Sequence, residues 1–292
     1  MPVESITNSE SVVQNPKSEN QILTDSGFYW REKDGVKILV CKTLEENGFT
    51  NGFSTRGGGV SAFPENSLNL AGFDDDADEN IFENRRRFLK VFEDDFKLTS
   101  VWQIHSDGVK TVADEAGAKN TEEKFDALIS DLPNLLLGVK TADCVPVLIG
   151  DRETKSFAAI HAGWRGTVES IAVKAVEKMQ REYGTRNENL ICAIGPAATC
   201  KNYEIGQEVI DSFKEKFKYA EELFAATREG HALIDLHLAN RRQLLDIGVL
   251  EKNIFIAPFC TMGRNDLFFS YRVENKKYGK TGRLMSVIGK SS

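Results

Sequence analysis

Residues 141–166, TADCVPVLIGDRETKSFAAIHAGWRG, hold two apolar runs separated by a polar turn. Val145–Gly150 and, His161 apart, Phe157–Ala162 are apolar at successive positions, not only at alternate ones. That is the pattern of strands covered on both faces within a layered fold. Cys144 stands at the mouth of the first run and His161 near the end of the second, followed by the small, aromatic and basic turn Ala162-Gly163-Trp164-Arg165-Gly166. A cysteine and a histidine at strand ends allow three readings: core residues, a nucleophile with its base, or two legs of a metal site.

Working outward, VKILVCKTL (36–44) and TSVWQIHSDGVKTV (99–112) have the β-branched and aromatic content of strands, the second passing through His105 before turning at Asp107-Gly108. ALISDLPNLLLGVKT (127–141) reads as two short strands about Pro133. Apolar residues from Val168 to Tyr183 recur at steps of three and four, which predicts a helix over 167–183 stopped by Gly184. LICAIGP, NIFIAP, DLFFSYR and RLMSVIG are expected strands. ADENIFENRRRFLKVF, residues 206–217 and DLHLANRRQLLDIG are expected helices, the last capped by Asp235 and ended at Gly248.

Strands and helices alternate without a linker or repeat after residue 26, so the expected fold is a single α/β domain of layered sheets flanked by helices. Several turns are too short for a crossover helix, which favours mixed over all-parallel sheets. Residues 1–25 are polar and are expected to be a disordered tail.

The chain has 292 residues, 41% of them hydrophobic, with a formal charge of −7, which is enough length for a sizeable core and the wrong sign for nucleic acid or an anionic membrane as general partner. Five cysteines without CxxC pairing read as reduced thiols, and the polar N-terminus lacks the basic start and apolar core of a secretory signal. No window approaches the eighteen apolar residues of a membrane span. A cytoplasmic protein is expected.

There are four histidines. His231, in a polar turn, and His237, in a predicted helix, read as structural or solvated. His105 and His161 each close an apolar strand beside turn residues, where α/β sheets gather functional groups. HAGWRG spends two glycines beside His161 and then supplies Arg165, a planar fork for anions. STRGGGVSAFPENSLNL (54–70) places Arg56 before three glycines, with Ser61 and Asn69 beyond, and suits a loop wrapping backbone amides round an anion. The plain alternative is a flexible surface loop. FFSYRVENKKYGKTGR (268–283) puts Ser270, Tyr271, Arg272 and Arg283 about an expected hairpin.

Cys144 with His105 and His161 can bind Zn²⁺ and leave a fourth position open, which would permit hydrolysis, deamination or phosphorolysis. Alternatively His161 deprotonates Cys144 for acyl transfer. A multicopper oxidase, the third possibility, takes roughly ten imidazoles. Four histidines cannot supply them. The H-x-E with P-C-x-x-C signature of the nucleobase deaminases is absent as well.

STRGGGVS, SLNL, QIHS, TADCVPVLI, HAGWRG, AIGPAATCKNYEIG and FFSYR with TGR occur in the order found in the YfiH family, and the chain resembles that family from about Gly27 to Gly289. Its members have been named laccase-domain proteins or polyphenol oxidases and are regarded as zinc-containing purine nucleoside phosphorylases with adenosine deaminase activity. The resemblance implies a cysteine-hydrolase-like fold of mixed sheets with zinc rather than copper on His105, Cys144 and His161. It also implies adenosine, inosine, guanosine and methylthioadenosine as substrates, with phosphate or water as acceptor. Arg56 and Arg165 are then expected to hold phosphate, with Asn69 beside them in the substrate cleft. The family commonly reads SYRR where this chain has Ser270-Tyr271-Arg272-Val273, followed by an extra ENKKYGK. A cysteine amidase or editing hydrolase acting on a cell-wall precursor is the competing enzyme class, and a partner protein of the division or envelope machinery the non-enzymatic one.

Overall fold

The structure is a computed structural model that describes residues 17–71 and 76–292. Two six-stranded mixed sheets lie face to face, with helices on their outer sides. The first runs, in spatial order, Phe28–Lys33, Val36–Cys41, Thr50–Ser54, Leu284–Lys290, Leu135–Thr141 and Lys97–Thr99. The second runs Ile254–Ile256, Leu190–Ile194, Val145–Asp151, Phe157–Ala162, Ala127–Ser130 and Val109–Thr111. In both sheets most neighbours are antiparallel, joined to parallel pairs at the edges.

The doubly apolar strands follow from this layering. Along Val145–Asp151, Leu148 joins Leu39, Phe53, Leu137 and Phe157 between the sheets. Val147 and Ile149 turn to the opposite side, against Ala175, Val176 and Met179 of the helix Ile171–Tyr183 and Leu244 of the helix Leu236–Asp246. On the outer face of the first sheet, Ile38, Val40 and Val287 meet Phe88 and Phe92. Each large side chain so buried contributes about 1.5–3 kcal/mol, whereas an unpaired polar group there would cost stability.

Several expectations need correction. Helical order begins earlier than expected, with Glu19–Asp25, while residues 1–16 of the expected tail lie outside the described residues. The predicted helix over 167–183 is two helices, Trp164–Val168 and Ile171–Tyr183, broken at Ser170, whose φ is 58°. Gln243 donates to the Thr167 carbonyl at 2.8 Å and Asn240 to its hydroxyl at 3.2 Å, so the neighbouring helix grips the first one at its end. The expected strand DLFFSYR is a turn followed by the helix Tyr271–Tyr278, with the Ser270 hydroxyl accepting from the Val273 amide as N-cap and Gly279 ending it at φ 71°. Nor is GGGVS an anion-wrapping loop. Gly57–Ser61 is a strand, and a Cβ on Gly59 would lie 2.0 Å from the Ser67 carbonyl oxygen, so glycine serves backbone packing there.

His105 lies on no strand. Between Lys97–Thr99 and Val109–Thr111 the chain is irregular, and His105 has φ 60°. The helices 78–89, 207–216 and 236–246 and the strands 190–194, 254–256 and 284–290 fall where the sequence places them. The Asp235 carboxylate accepts from the Leu238 amide at 2.8 Å, as an N-cap should. His231 opens a short strand, and His237 is buried with Nε2 at 2.9 Å from the Gly195 carbonyl oxygen, a structural partnership.

Candidate metal centre

Two strands consecutive in the chain here belong to different sheets. Leu135–Thr141 lies in the first and Val145–Asp151 in the second, so the turn at Ala142-Asp143-Cys144 crosses from one layer to the other. Cys144 therefore sits at the edge where the two layers part. Phe157–Ala162 pairs antiparallel with Val145–Asp151, and His161 opposes Pro146. Strand alternation puts His161 on the same face as Phe157 and Ala159, toward the other sheet, and beside Cys144.

The ligand-capable atoms of His105, Cys144 and His161 lie within 4.8 Å of one another. Cys144 Sγ is 3.9 Å from His105 Nε2, and the two imidazoles meet edge to face at a centroid distance of 4.9 Å. Tetrahedral zinc with ordinary bond lengths needs donors about 3.5 Å apart, so a small inward movement fits this trio to an ion. His161 is buried, Cys144 half-buried and His105 exposed, so the open side of the group lies on the His105 side. A Cβ on Gly163 would come within 3.0 Å of His105 Cδ2 and 3.3 Å of Cys144 Sγ. HAGWRG needs glycine there because the donors converge on its backbone.

The residue that organises this trio is Asp126, which sequence reasoning passed over. It is fully buried at the start of the strand Ala127–Ser130. Its carboxylate accepts from the amides of Ile104 (3.2 Å), His105 (3.0 Å) and Ser106 (2.6 Å), from the Ser106 hydroxyl (2.7 Å) and from His161 Nδ1 (2.8 Å). One carboxylate thus holds the irregular His105 segment in its left-handed turn and orients the His161 ring with Nε2 free to face the sulfur. A carboxylate behind a ligand histidine is the usual support of a protein metal site. The only sequence signal was an acid placed immediately before an apolar strand.

Asp143 does the corresponding work for Cys144. Its φ is 90° and its buried carboxylate accepts from Thr261 Oγ1 (2.7 Å), Ser270 Oγ (3.0 Å) and the Arg272 amide (2.7 Å). Burial raises the Asp143 pKa, and these donors offset it only in part. For Asp126 burial also opposes ionisation, but the bonds from His161 and Ser106 outweigh it and the carboxyl is held below its ordinary range.

Charge pairing at the centre is strong in the metal-free protein. Burial pushes the Cys144 thiol up, but His161 and His105 more than reverse this and bring it down to about 6. Burial likewise opposes protonation of His161, and the Cys144 thiolate with Asp126 holds it up at about 9. Between these values the pair is thiolate and imidazolium, whereas a free thiol ionises near 8.5. Metal-free protein treated with iodoacetamide should therefore label Cys144 with a rate that rises through about pH 6, read by mass spectrometry of the peptide. Labelling that rises only above about pH 8 would contradict the pairing.

The other expected site residues are placed differently. Arg56 is largely buried. Its Nη2 donates to Glu274 Oε1 at 2.8 Å, its Nη1 to the Asn265 carbonyl, and its guanidinium lies 4.8 Å from the Phe269 ring centroid. Asn69 is buried, with Oδ1 accepting from the amides of Arg283 (2.8 Å) and Ala71 (3.2 Å). Both side chains are thus engaged by groups of the protein itself. Arg165 is exposed and lies over the Trp164 ring, 4.2 Å from its centroid. All five cysteines are unpaired, and among the described residues no helix is long and apolar enough to cross a membrane.

Residues 50–291 match the family model described as multi-copper polyphenol oxidoreductase laccase. A protein of Escherichia coli named purine nucleoside phosphorylase YfiH is 32% identical over 252 residues, covering 86% of this chain and 98% of that one. The chain belongs to the YfiH family. A Deinococcus radiodurans relative named purine nucleoside phosphorylase is 38% identical over 258 residues, covering 87% and 93%. The solved structure titled Bacillus licheniformis hypothetical protein YfiH superposes with a TM-score of 0.82 at 30% identity, over 90% of this chain and 99% of that one. The layered mixed α/β fold is thus the YfiH fold. The family's laccase description sits poorly with this member: two of its four histidines reach the donor group, while His237 is bonded elsewhere and His231 turns to the Glu229 carbonyl.

Proposed function

We propose that this chain is a zinc-dependent purine nucleoside phosphorylase of the cytoplasm, acting on adenosine, inosine, guanosine and methylthioadenosine, and that it also deaminates adenosine. The observation that carries the reading is the convergence of His105, Cys144 and His161, with one side open, in a chain whose relatives bear the name purine nucleoside phosphorylase. One thiolate and two imidazoles with a vacant fourth direction suit zinc better than copper, whose oxidases need a larger histidine complement. Zinc held there supplies Lewis acidity at the open position.

The chain's own residues do the rest. Asp126 keeps the His161 proton on Nδ1 and so directs Nε2 toward the centre. Cys144 contributes a thiolate at neutral pH, and Gly163 leaves room for the donors to close. In phosphorolysis the bond from ribose C1′ to the base nitrogen breaks, a phosphate oxygen bonds to C1′, and the proton of hydrogen phosphate ends on the departing base.

Zinc-loaded protein incubated with adenosine is expected to release adenine only when phosphate is present and inosine whether or not it is, as separated by liquid chromatography. Adenine formed equally without phosphate would defeat the phosphorolysis reading. A second reading, a cysteine amidase or editing hydrolase, draws on the line Asp126, His161, Cys144, which has the order of a hydrolase triad with the thiol already ionised. No product from adenosine under either condition would favour it.

A further inference from the structure

Phosphorolysis, if the proposed function holds, requires a place for phosphate, and the arginines that the sequence nominated for it differ in what they have left to offer. Arg56 has both terminal nitrogens engaged, one of them in an ion pair whose Glu274 partner is 2% exposed. Releasing it would leave the buried Glu274 carboxylate without its ion-pair partner. Arg165 lies over the Trp164 ring, and among the described residues no hydrogen bond or ion pair joins its guanidinium to His105, Cys144 or His161.

Arg272 is held differently. Its main-chain amide donates to the carboxylate of Asp143, the residue next to Cys144, so its position is fixed to the same turn as the cysteine. Its guanidinium lies over the Tyr203 ring, 4.9 Å from the centroid, and donates from Nη1 to the Glu204 carbonyl at 2.9 Å. Among the described residues no carboxylate forms an ion pair with it. Tyr203 belongs to the same neighbourhood: burial raises its phenol pKa, the charges of Cys144 and Asp143 add to the rise, and the charge of Arg272 and its hydrogen bond to the phenol oppose it. An arginine of five N–H donors, laid on an aromatic platform and engaged by one carbonyl and by the Tyr203 hydroxyl, still retains N–H donors of a planar fork for an oxyanion. Stacking reduces the entropy lost when that anion binds.

We infer that Arg272, supported by Tyr203 and anchored through Asp143, holds the phosphate co-substrate beside the His105, Cys144 and His161 group. This rests on the phosphorolysis reading. The Asp143 carboxylate then links the two halves of the reaction, since it fixes Cys144 on one side and the main chain of Arg272 on the other. Substitution of the Arg272 side chain leaves that amide bond in place. Hydrogen phosphate is the form expected to bind, and its proton balances the reaction by leaving on the base.

The test is steady-state kinetics on the zinc-loaded full chain, following adenine formation against phosphate concentration and inosine formation without phosphate. Arg272→Ala is expected to raise the phosphate KM by about tenfold or more, the loss of charge-assisted hydrogen bonds to an anion, while changing phosphate-independent inosine formation by far less. Arg272→Lys should recover part of the loss, and Arg272→Gln serves if the alanine variant is poorly folded by circular dichroism. A phosphate KM within about twofold of wild type in both the alanine and glutamine variants would overturn the assignment, as would a rise in KM for Arg165→Ala without one for Arg272→Ala. Adenine and inosine formation falling together in the Arg272 variants would also overturn it. Wild-type protein that yields inosine but never adenine would overturn the phosphorolysis reading and this inference with it, whereas intact wild-type phosphorolysis beside an unaffected variant removes Arg272 alone.

Discussion

Cys144→Ala is expected to abolish metal retention and turnover together. The substitution removes the only sulfur of the donor group and leaves two imidazoles, one of them exposed, which cannot close a tetrahedral site. Loss of a ligand residue should exceed the 10–100-fold weakening caused by removing a supporting hydrogen bond, so zinc content should fall from about one per chain to near zero after dialysis. The fold should survive, because the strand Val145–Asp151 keeps its packing on both faces and alanine fits wherever cysteine does. Both functional readings predict an inactive variant. They part over wild-type protein stripped of metal: it should be inactive and recover on adding zinc if the ion is the reagent, and remain active if Cys144 attacks substrate. Elemental analysis alongside the activity assay reads both at once, and full turnover by metal-free wild type would end the metal-centre assignment.

Much of this molecule was legible along the chain wherever local pattern and burial agree. The strands at 145–151 and 157–162 announced themselves by near-continuous apolar runs, broken only by His161 and ended by Asp151, and the layered fold explains it, with Leu148 facing one core and Val147 and Ile149 another. Two of the three donors were visible for the same reason, as polar groups at the ends of such strands. What escaped was set by contacts distant in sequence. His105 looked like part of a strand because QIHS follows apolar residues, yet Asp126, 21 positions later, takes three successive amides and bends that segment away from the sheet. FFSYR looked like a strand because Phe268 and Phe269 are core residues, but the capping hydroxyl of Ser270 and the carboxylate of Glu274, which accepts the Ser270 amide at 3.0 Å, start a helix instead.

Arg56 illustrates the limit of motif reading more sharply. An arginine before three glycines has the composition of an anion loop. Whether its fork is free depends on an acid 218 residues away, and Glu274 occupies it. The glycines answer to the close approach of the Ser67 backbone, and Asn69 answers to the Arg283 amide. Residue types that favour ligand binding also favour tight packing, and a motif alone does not show which partners such side chains have within the fold.

Asp126→Asn should separate support from ligation. The change preserves volume but replaces one acceptor oxygen by a donating NH₂, so at least one of the donors now satisfied, three amides, a hydroxyl and His161 Nδ1, must face another donor. If the amide nitrogen takes the Oδ1 position, the His105 amide and His161 Nδ1 both lose their acceptor. If it takes Oδ2, the Ile104 and Ser106 amides do. The first choice withdraws support from both histidines, and the second loosens the turn that holds His105. Zinc affinity is therefore expected to fall about 10–100-fold, measured by competition with a chelator of known strength. Stability should drop by about 3 kcal/mol in denaturant titration, since bonds to a buried charge are lost and a donor is left unmet. The acid limb of stability should move as well. Because Asp126 has its folded pKa depressed below 3.8, its contribution is present above that value and lost as pH falls through the folded pKa, so wild type should shed part of its advantage over the variant below about pH 4. A variant that bound zinc as tightly as wild type would show that the His161 ring needs no carboxylate behind it, and that the left-handed turn at His105 is held by packing alone.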